Sequence, residues 1–100
     1  MNALELMILL ENIQFKDIKP KGKYDTSNLS ATYRYEIKHG ADYIISERSI
    51  ADIRYPNAPY SYRLRVEHVE SANKKTLQYD GCGMLARAVF ETLNAKERGR

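Results

Sequence analysis

Polar and apolar side chains alternate over residues 29–38 and again over 60–67, a pattern that predicts two β-strands with separable faces. In the first, Leu29, Ala31, Tyr33, Tyr35 and Ile37 point one way and Ser30, Thr32, Arg34, Glu36 and Lys38 the other. In the second, Tyr60, Tyr62, Leu64 and Val66 oppose Ser61, Arg63, Arg65 and Glu67. If both strands share a sheet, its apolar side is the core side, and Arg34, Arg63 and Arg65 gather on the other.

The remaining elements follow from the same kind of reading. Residues 2–11 suit a helix capped by Asn2, apolar nearly all round and therefore in need of burial on more than one side. Residues 12–18 alternate Ile13 and Phe15 against Gln14 and Lys16, which predicts an edge strand ended by a loop at Lys19-Pro20-Lys21-Gly22-Lys23. Residues 24–28 have turn composition. His39-Gly40-Ala41-Asp42 reads as a hairpin connection to a strand from Tyr43 to about Ile50. Residues 46–54 fit either the end of that strand or a short helix capped by Ser46, with Ile50 and Ile53 inward. Pro56 and Pro59 make 55–60 a loop. A strand over 60–70 turns at 71–74 and returns over 75–79, with Leu77 and Tyr79 expected inward. Asp80 or Gly81 is expected near the cap of a last helix, whose Leu85, Ala86, Val89, Phe90 and Leu93 form an apolar stripe. The class is α+β: an antiparallel meander sheet of four to five strands, with N-terminal and C-terminal helices packed on one face, in a single domain over 1–100.

Composition narrows the chemistry. A chain of 100 residues can bury an ordinary core without staples. The one cysteine, Cys82, excludes an internal disulfide; with His39 and His68 far apart, no zinc-ligand spacing can be assembled, and no cofactor is expected. Between its flanking glycines, Cys82 reads as part of a tight turn. The apolar run 3–10 is too short to span a bilayer and lacks the flanks of a signal peptide, which predicts a cytoplasmic protein with no membrane partner. Sixteen basic against 13 acidic residues leave a net charge of +3, which permits an acidic or nucleic-acid partner without demanding one. Lys16, Lys19, Lys21 and Lys23 form one basic cluster and the tail 96–100 another. Eight tyrosines, two phenylalanines and no tryptophan suit contact surfaces as well as a core.

The candidate binding surface is Arg34, Arg63, Arg65 and Lys38 on the open face, with Tyr55 and Tyr60 in the proline loop. Guanidinium forks suit carboxylate and phosphate, and the tyrosines offer stacking surface. Glu36 and Glu67 share this face, so cross-strand ion pairs are the competing reading. The leading expectation is a small non-enzymatic binding protein that occupies an acidic surface on a larger protein complex. By analogy of size and architecture, this includes phage or mobile-element inhibitors of host nucleic-acid machinery. The alternative is a DNA- or RNA-binding module using the same face, helped by the lysine loop. A third expectation comes from Asp25 upstream of Glu36-Ile37-Lys38, which resembles the acidic residue plus Glu-x-Lys arrangement of restriction-endonuclease-like nucleases. That resemblance implies magnesium held by Asp25 and Glu36, with Lys38 assisting attack. Finally, Leu6, Leu9, Leu10 and Ile13 could form a homodimer seam or lie beneath the sheet.

Overall fold

The computed structural model describes residues 1–25 and 27–99; Thr26 of the predicted turn and Arg100 of the basic tail lie outside the described residues. Helix α1 (Ala3–Asn12) is followed by a 3-10 turn (Phe15–Asp17) and five strands: β1 (Ile18–Asp25), β2 (Ser30–His39), β3 (Asp42–Ile50), β4 (Ser61–Ser71) and β5 (Lys74–Gly81). Helix α2 (Met84–Arg98) closes the chain. The strands form one antiparallel sheet in the order β1-β2-β3-β4-β5, each pairing with its neighbour in sequence. Both helices pack on one face, as the alternation predicts.

The inward parity of the strands builds the core. Ile18, Tyr35, Ile37, Ile44, Leu64 and Val66 are buried against Leu6 and Leu10 of α1 and Ala86, Val89, Phe90 and Leu93 of α2. Helix α1 begins where its cap predicts: the Asn2 side chain accepts from the Glu5 amide at 2.8 Å. Its last carbonyls are satisfied from α2, since Lys96 Nζ donates to the carbonyls of Glu11 and Ile13, both at 3.3 Å. Leu6 and Leu10 are buried in the monomer, and Leu9 and Ile13 pack against the same core. The residues of the suggested dimer seam therefore lie beneath the sheet of their own chain, and Leu4 and Ile8 are the exposed apolar positions of α1.

Several boundaries differ from the sequence reading. The edge strand occupies 18–25, not 12–18, and runs through the predicted Lys-Pro-Lys-Gly-Lys loop. That segment alternates too: Lys19, Lys21 and Lys23 pair across from Glu36, Arg34 and Thr32, placing the lysines on the open face. An edge strand tolerates Pro20 because one side of its backbone pairs with nothing. Residues 46–50 are strand, because Ser46 sits opposite both Tyr35 and Leu64 in a fully buried row that only the strand register provides. The chain leaves the sheet at Ala51, and Ile53 is exposed rather than inward. The β2–β3 connection is the two-residue loop Gly40-Ala41, with Gly40 at φ 60° and Ala41 outside the left-handed region, as a II′ hairpin turn requires. Leu29 belongs to the turn before β2, at φ 57°. A bulge between Val66 and Glu67 shifts β5 by one residue, so Tyr79 faces the core side opposite Val66 while Leu77 falls opposite Glu67, half exposed on the open face. Asp80 is still in β5; the residue capping α2 is Gly83.

Candidate functional surfaces

The second face of the sheet is covered by neither helix, and the register organises it into rows. One row runs Lys21, Arg34, Glu47, Arg63, and the next runs Lys19, Glu36, Ile45, Arg65, Asp80. The alternation therefore brings Arg34, Arg63 and Arg65 together as the sequence predicts, and it brings carboxylates between them. Arg34 pairs with Glu47 at 2.7 Å and reaches Glu36 at 3.6 Å. Arg63 grips Asp80 through two parallel bonds, Nε to Oδ1 at 3.0 Å and a terminal nitrogen to Oδ2 at 2.9 Å. Those bonds hold the Asp80 carboxyl below its ordinary range and raise the guanidinium of Arg63. Arg65 lies at the ion-pair limit from Glu67 and Asp80, 3.9 and 4.0 Å. At the other end of the face, burial first and a hydrogen bond to Glu36 second push the Tyr43 phenol up. The centre is thus a lattice of alternating charge around Ile45, in which four carboxylates offset three guanidiniums.

Cationic excess lies at the margin. Lys19, Lys21 and Lys23 of β1, and Lys38 of β2, make no ion pair among the described residues. Lys21, Gly22, Lys23, Thr32 and Arg34 line a shallow depression of about 330 Å³ beside the edge strand. Lysines and a proline on an exposed edge also discourage pairing with another chain, so this strip has a structural role whatever it binds.

Tyr55 and Tyr60 do not join the open face. Tyr55 stands exposed in the loop, with the Arg54 guanidinium 5.8 Å from its ring centre and Arg54 tied to Asp52. Tyr60 lies on the helix side, where it meets a residue that the sequence reading passed over. Arg48 occupies an inward position of β3, in the alternation Ile44, Ser46, Arg48, Ile50. Its guanidinium lies 4.4 Å from the Tyr60 ring centre and 4.9 Å from that of Phe90. Once residues 46–50 are strand the signal is plain: a charged residue on the core-facing parity must be stacked, paired or functional. Beyond the end of α2 this part of the sheet forms a groove of about 430 Å³, lined by Tyr24, Ala31, Tyr33, Arg48, Ile50 and Tyr60, with Gly22, Lys23 and Thr32 at its rim.

The carboxylates carried over from the nuclease resemblance do not converge. Asp25 pairs with Ser30 and Glu36 with Lys19, six residues apart along β2. At 3.4 Å per residue that separates them by about 20 Å, too far to share an ion. The Asp25 carboxylate accepts from the Ser27 hydroxyl and amide and from the Asn28 side chain, which lower its pKa from the ordinary value. Among the described residues no three His, Cys, Asp or Glu side chains gather as a metal site, and no helix is long and apolar enough to cross a membrane. Cys82 is exposed between β5 and α2. Comparison with protein-family models, curated proteins and solved structures finds no match for the chain, so its functional reading rests on this geometry.

Proposed function

We propose that the protein is a non-enzymatic binding module that acts by covering a surface on a larger protein complex, with the uncovered sheet face as its contact surface. The observation that carries this reading is the interleaving of carboxylates among Arg34, Arg63 and Arg65. A phosphate backbone would meet four carboxylates in the middle of the face. A protein surface with charges of both signs can exchange partners with such a lattice row by row, and Ile45, Tyr43 and Leu77 supply apolar contact between the rows. An inhibitor of larger machinery needs only such a face on a rigid scaffold. The reading is tested by affinity purification from source cells, comparing the wild type with Arg34→Ala/Arg65→Ala. Truncating a central interface arginine costs about 2 kcal/mol, or about 30-fold in affinity. A partner recovered by the wild type and lost with the variant, at unchanged circular dichroism, is the expected result. Equal recovery by both would remove the open face as the contact surface.

A nucleic-acid reading draws on a different observation, the unpaired lysines of β1 beside Arg34. It confines the contact to one margin of the sheet, and its strength would fall steeply with salt.

A further inference from the structure

We infer that the groove around Arg48 is a docking site for a carboxylate-bearing peptide segment, with Arg48 taking an acidic side chain and Tyr24, Tyr33 and Tyr60 taking an apolar or aromatic neighbour. A guanidinium carries five N–H donors in a planar fork that matches a carboxylate. Arg34, Arg54, Arg63, Arg65 and Arg87 each have a carboxylate within 4.0 Å. Half-buried Arg48 has none among the described residues, nor any hydrogen-bonding partner. Glu97, engaged by the hydroxyls of Tyr33 and Tyr35, is not within ion-pair distance of it. The Arg48 guanidinium lies over the rings of Tyr60 and Phe90 and lines the groove. A fork held against two aromatic rings, with no carboxylate of its own, has donors to offer a bidentate acceptor.

The charge and shape of the groove select the ligand. Lys23 and Arg48 both line the groove, and five of its nine lining residues are tyrosine, alanine or isoleucine, a largely apolar wall that suits a carboxylate carried beside an apolar side chain better than a strongly hydrated phosphoryl dianion. The volume of about 430 Å³ falls in the range of ligand pockets and accepts an acidic side chain with one adjacent ring. The groove's wall of Tyr24, Tyr33, Arg48 and Tyr60 is on the helix side, and the groove shares only Gly22, Lys23 and Thr32 with the depression beside Arg34, so this inference does not depend on the open face being the contact surface.

The test is a titration of the isotope-labelled protein with the blocked peptide acetyl-Gly-Phe-Glu-Gly-amide, followed by amide and arginine Nε–H resonances. The Gln counterpart, inorganic phosphate and adenosine monophosphate serve as comparison ligands. The expected result is saturable shifts at Arg48 Nε and at the amides of Tyr33 and Tyr60 in the millimolar range, at least about tenfold weaker with the Gln peptide. Arg48→Gln should abolish them. Arg48→Lys, which keeps the charge and loses the fork, should weaken them about tenfold with the rest of the spectrum in place. Arg34→Ala/Arg65→Ala should leave them unchanged. The inference is overturned if the Glu and Gln peptides bind alike, if shifts fall outside the groove or are absent at about 10 mM peptide, or if phosphate or the nucleotide saturates the site where the peptide does not.

Discussion

Phe90→Ala is expected to destabilise the protein by about 3–5 kcal/mol, the cost of emptying a large aromatic site in a packed core. Phe90 is fully buried and joins two halves of an aromatic ladder: its ring centre lies 5.1 Å from Tyr35 of β2 and 5.9 Å from Tyr62 of β4. It also supports the Arg48 guanidinium. Removing it opens a cavity between α2 and the sheet that rigid strands cannot close. A domain of this size has about 5–15 kcal/mol in total, so the variant should unfold at a clearly lower denaturant concentration than the wild type. Its melting temperature should fall by at least about 12 °C. A loss under about 1 kcal/mol would mean that α2 does not pack on the sheet through this residue.

The second large effect centres on Glu97. Both Tyr33 and Tyr35 donate their hydroxyls to its carboxylate, at 2.7 Å from Tyr33 and in close contact from Tyr35, whose oxygen also lies 3.2 Å from Asn94 Oδ1. The Tyr35 side chain is fully buried, so Glu97→Ala strips a charge-assisted partner from an interior hydroxyl and should cost about 2–3 kcal/mol. Adding Tyr35→Phe to Glu97→Ala should recover part of that loss, because the orphaned hydroxyl goes with it. The same contact sets an alkaline limit. Burial, then the bond to Glu97, raise the Tyr35 phenol well above its ordinary value, and the Glu97 bond raises Tyr33 as well. A folded-state pKa above the unfolded one contributes stability that is complete below about pH 10 and falls away as pH climbs through the gap. Wild-type stability should therefore decline above pH 10 by about 1.4 kcal/mol per pH unit for Tyr35 alone. Tyr35→Phe should decline less steeply by that amount. Denaturation midpoints at pH 8, 10 and 11 measure it, and parallel slopes in the two proteins would contradict the assignment.

Much of this architecture was legible because alternation is a two-state code. Residues 29–38 and 60–67 named the core-facing and open positions correctly for Tyr35, Ile37, Leu64, Val66 and the three arginines. The misread segments each have a local cause. Lys19-Pro20-Lys21-Gly22-Lys23 has the composition of a loop, yet edge strands accept those residues, and only the partner strand reveals the alternation. Leu77 lost its inward place to a bulge, a one-residue event with no marker in Thr76-Leu77-Gln78. Asp80 looked like a helix cap because it precedes Gly-Cys-Gly; the structure uses it as the partner of Arg63. The site was legible in part. Strand parity placed the arginines on one face, but Glu47 lies in a segment readable as strand or helix and Asp80 reads as a helix cap, so the lattice appears only with the register. Arg48 was hidden by the same ambiguity over 46–54, since its inward position has meaning only once the segment is a strand.

The proposed contact of the uncovered face is with protein and not with phosphate. It is tested most directly by fluorescence anisotropy with labelled single-stranded DNA, duplex DNA and RNA, at low and moderate salt, for the wild type, Arg63→Glu/Arg65→Glu and Lys21→Glu/Lys23→Glu. The expected result is that any binding at low salt is weak, is carried by the lysine margin, and disappears at moderate salt, with Arg63→Glu/Arg65→Glu indistinguishable from wild type. Binding that persists at moderate salt, falls by about one log unit per log unit of salt for each neutralised phosphate, and is lost in Arg63→Glu/Arg65→Glu would contradict it.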